Sequence, residues 1–322
     1  MKLLSTLAGA IACVALSASP ALAQWTPSQP IRFIVPYAPG GGGDTLARTL
    51  GEHVSRQLGQ QVVVENRAGA GTLIGSQAAA SAAPDGHTLL FVAASFIINP
   101  HLISKMPFDP ASDFTPVTLM ASNPHVLVVH PSVPATNLRE FVEWAQRRKG
   151  GATFASFGNG SSGHLGFELL KKAAAFEMVH VPYKGVAPAT TDLIGGQVDA
   201  MLTDLPLAVA HVQTGKLKAI AVASERRVPT LPGVPTFAEA GLGGFTSKSW
   251  YGLVVRSGTP AEAVSRLNAA FVAALRDPAV KEKLSAIGMD TIGSTAAEFG
   301  RYMKDESVRY GEAVRISGAR VD

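Results

Sequence analysis

An α/β protein of two lobes, each a mainly parallel sheet flanked by helices with a ligand cleft between the lobes, is the fold class this sequence predicts. Three observations predict it. Short continuous apolar runs alternate with amphipathic helical stretches, the pattern of a parallel sheet covered on both faces. The alternation comes as two successive series, the second beginning near residue 126. Two short segments, 122–126 and 249–251, each lead into a similar apolar strand, His125-Val126-Leu127-Val128-Val129 and Tyr251-Gly252-Leu253-Val254-Val255, as chain crossings between lobes would.

In the first series, Ile31-Arg32-Phe33-Ile34-Val35 reads as a strand. A glycine-rich turn follows, and then a helix from Asp44 or Thr45 to about Leu58, whose apolar face repeats every four residues at Leu46, Leu50, Val54 and Leu58. Val62-Val63-Val64 is the next strand. A helix over 72–82 ends at the Pro84-Asp85-Gly86 turn, and Thr88-Leu89-Leu90-Phe91-Val92 is the third strand. The second series has strands at Val126-Leu127-Val128-Val129, Thr153-Phe154-Ala155, Met178-Val179-His180-Val181, Val198-Asp199-Ala200-Met201-Leu202 and Ala219-Ile220-Ala221-Val222. Helices over 137–149, 162–174, 187–195 and 205–214 lie between them. A turn-rich connection over 231–240, the strand at 251–255 and helices over 260–275, 278–286 and 296–316 complete the chain. The expected division is 24–125 with 250–322 in one lobe and 126–249 in the other. No repeat of 20–50 residues suggests a solenoid.

Before the first strand comes an export leader. Met1-Lys2 is positive, Leu3 to Leu16 is apolar apart from Ser5, Thr6 and Gly9, and Ala21-Leu22-Ala23 fits a small-x-small cleavage pattern ahead of Gln24. The apolar run is too short to span a bilayer, which takes about 20 residues. Cleavage after Ala23 and a periplasmic location are therefore expected. Cys13, the only cysteine, lies in this segment, and Ala10-Ile11-Ala12 is a poor lipid-attachment context. The mature chain then has no disulfide and no thiolate metal site. It keeps 27 basic residues against 24 acidic, a balance of +3 spread thinly. Arg147-Arg148-Lys149 is the densest basic run, which argues against nucleic acid as a partner.

In open α/β sheets ligands sit beyond the carboxyl ends of the strands. The segments there are rich in Gly, Ser, Thr and Tyr and poor in acids and bases. They supply the candidate site: Tyr37, Ala38, Pro39, Gly40, Gly41, Asp44 and Thr45 after the first strand; Ser95 and Phe96 after the third; Asn159, Ser161, Ser162 and His164; Tyr183, Lys184 and Gly185; and Asp204. Four glycines at 40–43 open directly into a helix. Unpaired N–H groups carry partial positive charge at a helix start, and glycine lets an anion approach them closely. A plain tight turn needs fewer glycines. The dinucleotide fingerprint lacks its third glycine.

A hydrolase built on Ser161 or Ser162 with His164 fails the nucleophile-elbow pattern, because Asn159 and His164 stand where glycines belong. Helix capping is the simpler role for those serines. The eight histidines are scattered, and no pair sits at ligand spacing with an acid, so neither metal nor cofactor is expected. Lys184 divides between surface lysine and ligand contact, and Asp204 between helix cap and ligand contact. Tyr37, Phe96, Phe157, Tyr183 and Trp250 are candidate cleft aromatics.

In order along the chain, these motifs resemble one family. They are Pro36-Tyr37-Ala38-Pro39-Gly40-Gly41 with Asp44; Val64-Glu65-Asn66-Arg67 with Gly69-Ala70-Gly71 and Gly75; Pro84-Asp85-Gly86; Gly158-Asn159-Gly160-Ser161 with His164; Val181-Pro182-Tyr183-Lys184-Gly185 with Pro188-Ala189; and Gly195-Gly196-Gln197-Val198-Asp199. From about Trp25 onward the chain is similar to the extracytoplasmic receptors of tripartite tricarboxylate transporters, the Bug-type receptors. Ala68 departs from the proline usual after Asn66-Arg67. The resemblance implies a periplasmic-binding-protein fold of the type II kind, with two crossing strands. It implies that the 37–45 loop grips a ligand carboxylate through N–H groups and ordered waters, and that the 95–97, 158–162 and 183–185 segments set specificity. The partners it implies are a small carboxylate (a di- or tricarboxylate, an acidic amino acid or an aromatic acid) and a membrane permease of the tripartite tricarboxylate type. A ligand-sensing subunit and a secreted serine hydrolase remain the alternatives.

Overall fold

The computed structural model describes residues 25–148 and 150–320. The expected cleavage between Ala23 and Gln24, and Cys13, lie outside the described residues. The elements run β1 (Ile31–Val35), α1 (Gly42–Leu58), β2 (Val62–Asn66), α2 (Leu73–Ala80), β3 (Thr88–Ala93), α3 (Ala94–Leu102), β4 (Phe114–Val129), α4 (Leu138–Arg147), β5 (Thr153–Ser156) and α5 (Ser162–Ala174). They continue with β6 (Val179–Pro182), α6 (Val186–Ile194), β7 (Ala200–Asp204), α7 (Leu205–Val212), β8 (Lys218–Val222), β9 (Lys248–Arg256), α8 (Ala261–Arg276), α9 (Pro278–Ala286), β10 (Asp290–Thr291) and α10 (Ala296–Ser317).

Two sheets result. The first has the order β2-β1-β3-β9-β4-β10, and the second β6-β5-β7-β4-β8. The β1–β2–β3 and β5–β6–β7 pairings are parallel, as helical crossovers require. β4, β8, β9 and β10 add antiparallel pairings. β4 belongs to both sheets. Its residues 114–124 pair with β9 and its residues 125–129 with β7. At the changeover the two crossing segments lie side by side, Ser122 opposite Trp250 and Asn123 opposite Ser249.

Strand alternation sends side chains to both faces of each sheet, so four apolar clusters form. Phe33, Phe91 and Leu253 pack under α1 and α8, and Ile34, Leu90 and Val254 under α3 and α10. Leu127, Phe154 and Leu202 face one way in the second sheet, and Val126, Val128 and Met201 the other. α10 also reaches the second sheet's helices. Leu165 of α5 is fully buried in the same cluster as Tyr310 and Val314, and Lys172 of α5 pairs with Glu312.

The segment expected as a loop at 95–97 is the first half of α3, which the sequence conceals because its N-cap, Ala93, offers no capping side chain and Pro100 lies inside it. The strand expected to begin at Val126 begins at Phe114. Pro116 and Pro124 argue against a strand by propensity, and β4 accommodates a register shift just after Pro116.

A stack of imidazoles lies in the second sheet's core. The His164 and His180 rings are 3.7 Å apart and nearly parallel, with Phe154 on one flank. His164 Nδ1 accepts from the Gly160 N–H at 3.0 Å, and His180 Nε2 lies 2.7 Å from Ser156 Oγ, which donates to the Gly158 carbonyl. Burial, then His180 and Lys171, lower the His164 pKa to about 3; burial and Lys171 lower that of His180 to about 4. Both rings therefore bind protons more weakly folded than unfolded. The unfolded chain takes up the excess protons as pH falls below the ordinary histidine value of about 6.5, so folding stability drops on acidification and rises with pH. Urea midpoints should fall between pH 7 and pH 5, and fall less steeply in His180→Gln. Equal slopes for the two proteins would show that the stack plays no part.

Candidate ligand site

A cavity of about 340 Å³ lies where the carboxyl ends of both parallel sets meet. Each contribution follows a strand. Tyr37, Ala38, Gly41, Gly42, Gly43 and Asp44 come after β1, and Ala93, Ala94 and Ser95 at the end of β3. Phe157, Ser161 and Ser162 come after β5, Val186 after β6 and Asp204 at the end of β7. Phe91 of β3 and Ser249, Trp250 and Tyr251 of β9 complete the wall. The lining contains no Lys, Arg or His.

What it has instead is helix starts. α1, α3, α5, α6 and α7 all begin at this cavity. Each leaves first-turn N–H groups without intrahelical partners. In α1, α3, α6 and α7 no side chain caps them, because the N-cap residues are Gly41, Ala93, Gly185 and Asp204, and the Asp204 carboxylate does not turn back onto its own helix. Pro206 in the first turn of α7 removes one N–H that such a cap would use. Only Ser161 caps, accepting from the His164 N–H at 3.3 Å. Away from the cavity, α4, α9 and α10 are capped by Asn137, Asp277 and a Thr295–Glu298 capping box.

The glycine loop is held from behind. Asp44 is buried. Its Oδ2 accepts from the Gly40 N–H and from Arg48 Nε, both at 3.0 Å, and its Oδ1 accepts from Asn66 Nδ2 at 2.9 Å. Asn66 Nδ2 also donates to the Tyr37 carbonyl, and Arg48 to Asn66 Oδ1. Burial pushes the Asp44 carboxyl up, but Arg48, Gly40 and Asn66 together outweigh it and hold the group below the usual carboxylate value. Asp44 thus stays ionised and spent on the loop. At Gly43 a Cβ would come within 2.9 Å of the Phe91 ring, so only glycine lets α1 start this close to the sheet. Left-handed backbone is confined to Gly40 (φ 85°); Gly41 is at φ −78° and ψ 170°, which any residue adopts.

Two tyrosines close the floor. Tyr37 Oη lies 2.8 Å from Ser95 Oγ, and burial, partly offset by that contact, raises its pKa to about 12. Burial, Asp204 and Tyr37 hold Tyr251 well above its ordinary value. Both hydroxyls remain protonated donors. Phe91 stands between them, 6.0 Å from Tyr37 and 5.5 Å from Tyr251.

Of the sequence candidates, the cavity gathers Tyr37, Ala38, Gly41, Asp44, Ser95, Ser161, Ser162 and Asp204. Pro39 and Gly40 of the same loop and Thr45 of α1 do not line it. Phe96 is buried between Phe108 and Phe114. Asn159 donates to the Arg320 carbonyl, and the Tyr183 hydroxyl to Asp192 at 2.7 Å. Lys184 is exposed outside the lining, and Gly185 caps α6. His164 is engaged by Gly160 and His180, which leaves its ring no hydrogen bond to Ser161 or Ser162. Gly42 and Gly43 of the glycine run and the aromatics Phe157 and Trp250, all marked in the sequence, line the cavity as well. Sequence reasoning did not single out Phe91, Ala93, Ala94, Val186, Ser249 and Tyr251, most of which sit in strands or helix starts, where apolar residues read as core. Among the described residues no cluster of three His, Cys, Asp or Glu could hold a metal, and no helix is long and apolar enough to cross a membrane.

Residues 46–318 match the model of the tripartite tricarboxylate transporter family receptor. Three solved structures are similar in sequence and fold. The periplasmic binding protein BugD is 34% identical, with a TM-score of 0.76 over 91% of this chain and 99% of that one. Rpa4515 of R. palustris, solved with adipate, is 32% identical, with a TM-score of 0.80 over 91% and 99%. MatC of Rhodopseudomonas palustris, solved with malate bound, is 33% identical, with a TM-score of 0.77 over 89% and 99%. The fold agrees with these relatives, and the chain belongs to the tripartite tricarboxylate transporter receptor family of periplasmic solute-binding proteins.

Proposed function

We propose that this protein is a periplasmic receptor that binds a small carboxylate between two lobes and delivers it to a membrane permease of the tripartite tricarboxylate type. The observation that carries the reading is the meeting of uncapped helix starts in a cavity whose lining has no cationic side chain. Such ends attract anions and leave ligand oxygens well supplied with donors. α1 and α3 stand on one side, α5 and α6 on the other, so a ligand held by both sets draws the lobes together. The lobes are 24–125 with 250–322, and 126–249, hinged where β4 and β9 run side by side. Adipate and malate in the solved relatives support the carboxylate class. Family membership supports a permease partner, and the sequence pattern supports the export leader at 1–23.

The energetics suffice. Micromolar affinity takes about −8 kcal/mol, and a hydrogen bond to a charged group gives about 1.5–3 kcal/mol net. Four or five N–H and hydroxyl donors reach that range without an arginine.

Two measurements test this. A panel of di- and tricarboxylates, acidic amino acids and aromatic acids is titrated by calorimetry. A Cβ at Gly41 would meet nothing nearer than the Ala38 carbonyl at 4.0 Å, so Gly41→Val keeps the fold while filling the cavity. It should weaken binding at least about 100-fold, whereas Lys184→Ala should change it less than about fivefold, as for an exposed charge. Loss of binding in Lys184→Ala with Gly41→Val intact would overturn backbone recognition. Small-angle scattering of the saturated protein should show compaction; an unchanged profile would refute closure.

A further inference from the structure

The pairing of β4 with β7 sets His125 directly opposite Asp204. His125 is fully buried. Its Nδ1 lies 2.8 Å from Ser247 Oγ; its Nε2 lies 3.2 Å from Ser249 Oγ and 3.4 Å from Asp204 Oδ1. The last contact lacks hydrogen-bond geometry, and Asp204 Oδ1 is sealed from solvent with no donor. A buried carboxylate oxygen without a donor is costly. Asp204 and Ser249 both form cavity wall, so this carboxylate stands where an anionic ligand must come.

Other groups do not relieve it. Asp44, the second carboxylate of the lining, is already matched by Arg48 and Asn66 and faces the glycine loop. From β9, Tyr251 presents a hydroxyl that contacts Ser249, and Tyr37 faces it from the end of β1. From α10 comes Tyr310, held protonated by burial; the neighbouring Arg309 is committed to Glu306, with both nitrogen–oxygen distances at 2.8 Å. Among the described residues, the His125 ring is thus the group beside Asp204 that can become a cation. A neutral imidazole has one donor nitrogen and one acceptor; an imidazolium has two donors.

We propose that His125 takes up one proton from solvent when a carboxylate ligand enters the cavity. The added proton lets one ring nitrogen donate to Ser247 and the other turn toward Asp204 Oδ1. The pair then becomes net neutral and the ligand no longer meets an uncompensated negative charge. His125 acts through Asp204 and is a positioning residue for ligand charge. The consequence is specificity that depends on pH: fully ionised ligands gain affinity as pH falls. The inference rests on the carboxylate-receptor reading above.

The test is calorimetry with succinate, malate, glutarate and adipate, which are fully ionised in the window of about pH 7–8.5. Each titration is run at one pH in HEPES and in Tris, whose ionisation enthalpies differ. The wild type should show a buffer-dependent enthalpy corresponding to uptake of up to one proton, and affinity should tighten by up to about tenfold per unit fall in pH. His125→Gln should bind with buffer-independent enthalpy and a flat pH profile. Asp204→Asn provides a second variant should the first not fold: its binding enthalpy should not depend on the buffer and its pH profile should be flat. Circular dichroism checks both. Binding without buffer dependence in the wild type, or uptake that persists in the folded variants, overturns the proposal and leaves the receptor reading standing. Where none of the four binds, the same titrations use whichever acid of the panel above binds; failure of the whole panel overturns both.

Discussion

An α-helix cannot satisfy its own first N–H groups, and the arrangement of this protein follows from where those groups are left open. Of the helices that begin away from the cleft, α4, α9 and α10 carry side-chain caps at Asn137, Asp277 and Thr295, whereas α2 and α8 do not. Those that begin at the cleft mostly do not, because glycine, alanine or a displaced aspartate occupies the capping position. Parallel strands bring all five of these starts to the cavity, since each follows a strand's carboxyl end. The supply of open N–H donors at the cavity is therefore a property of topology as much as of side chains. It also explains why the lining tolerates two aspartates and no cation: one is consumed in bracing the glycine loop, and the other belongs to the crossing between lobes.

The crossing is the second constraint. A single strand, β4, is shared by both sheets and runs antiparallel to β9 at the changeover, so the two sets of helix starts are connected by two adjacent segments. At that point Ser249 and Asp204 line the cavity, and His125 contacts both of them. α10 lies across the back, with Leu165 of α5 seated in its apolar cluster, and gives the two halves a contact outside the cleft.

Much of this was legible in the sequence. The alternation of apolar strands and amphipathic helices placed most elements, and the glycine run at 40–43 marked the α1 start because no turn needs four glycines. Ser161 read as a cap and is one. The losses have physical causes. β4 was read short because Pro116 and Pro124 sit in it, and propensity cannot anticipate how a shared strand accommodates them. α3 was read as a loop for want of a cap, which is the feature that opens its N–H groups to the cavity. Phe91 and Tyr251 were unreadable as cavity wall. They are apolar strand residues 160 positions apart, paired only by the β3–β9 register that sets Phe91 against Leu253 and Ala93 against Tyr251. Phe96 was misassigned in the opposite sense: it follows a strand, as a ligand residue would, yet turns into the core with Phe108 and Phe114.

The central claim is that main-chain donors at the helix starts hold the ligand's charge. Amide proton shifts report those donors one by one. Nitrogen-15 labelled protein titrated with malate, or with whichever acid of the panel binds, should show the N–H protons of Gly41, Gly42, Gly43 and Asp44, with those of Ser95 or Ser162, moving downfield as hydrogen bonds to carboxylate form. The Lys184 ammonium should not respond. Saturable binding that leaves the Gly41, Gly42 and Gly43 amides unmoved would contradict the account.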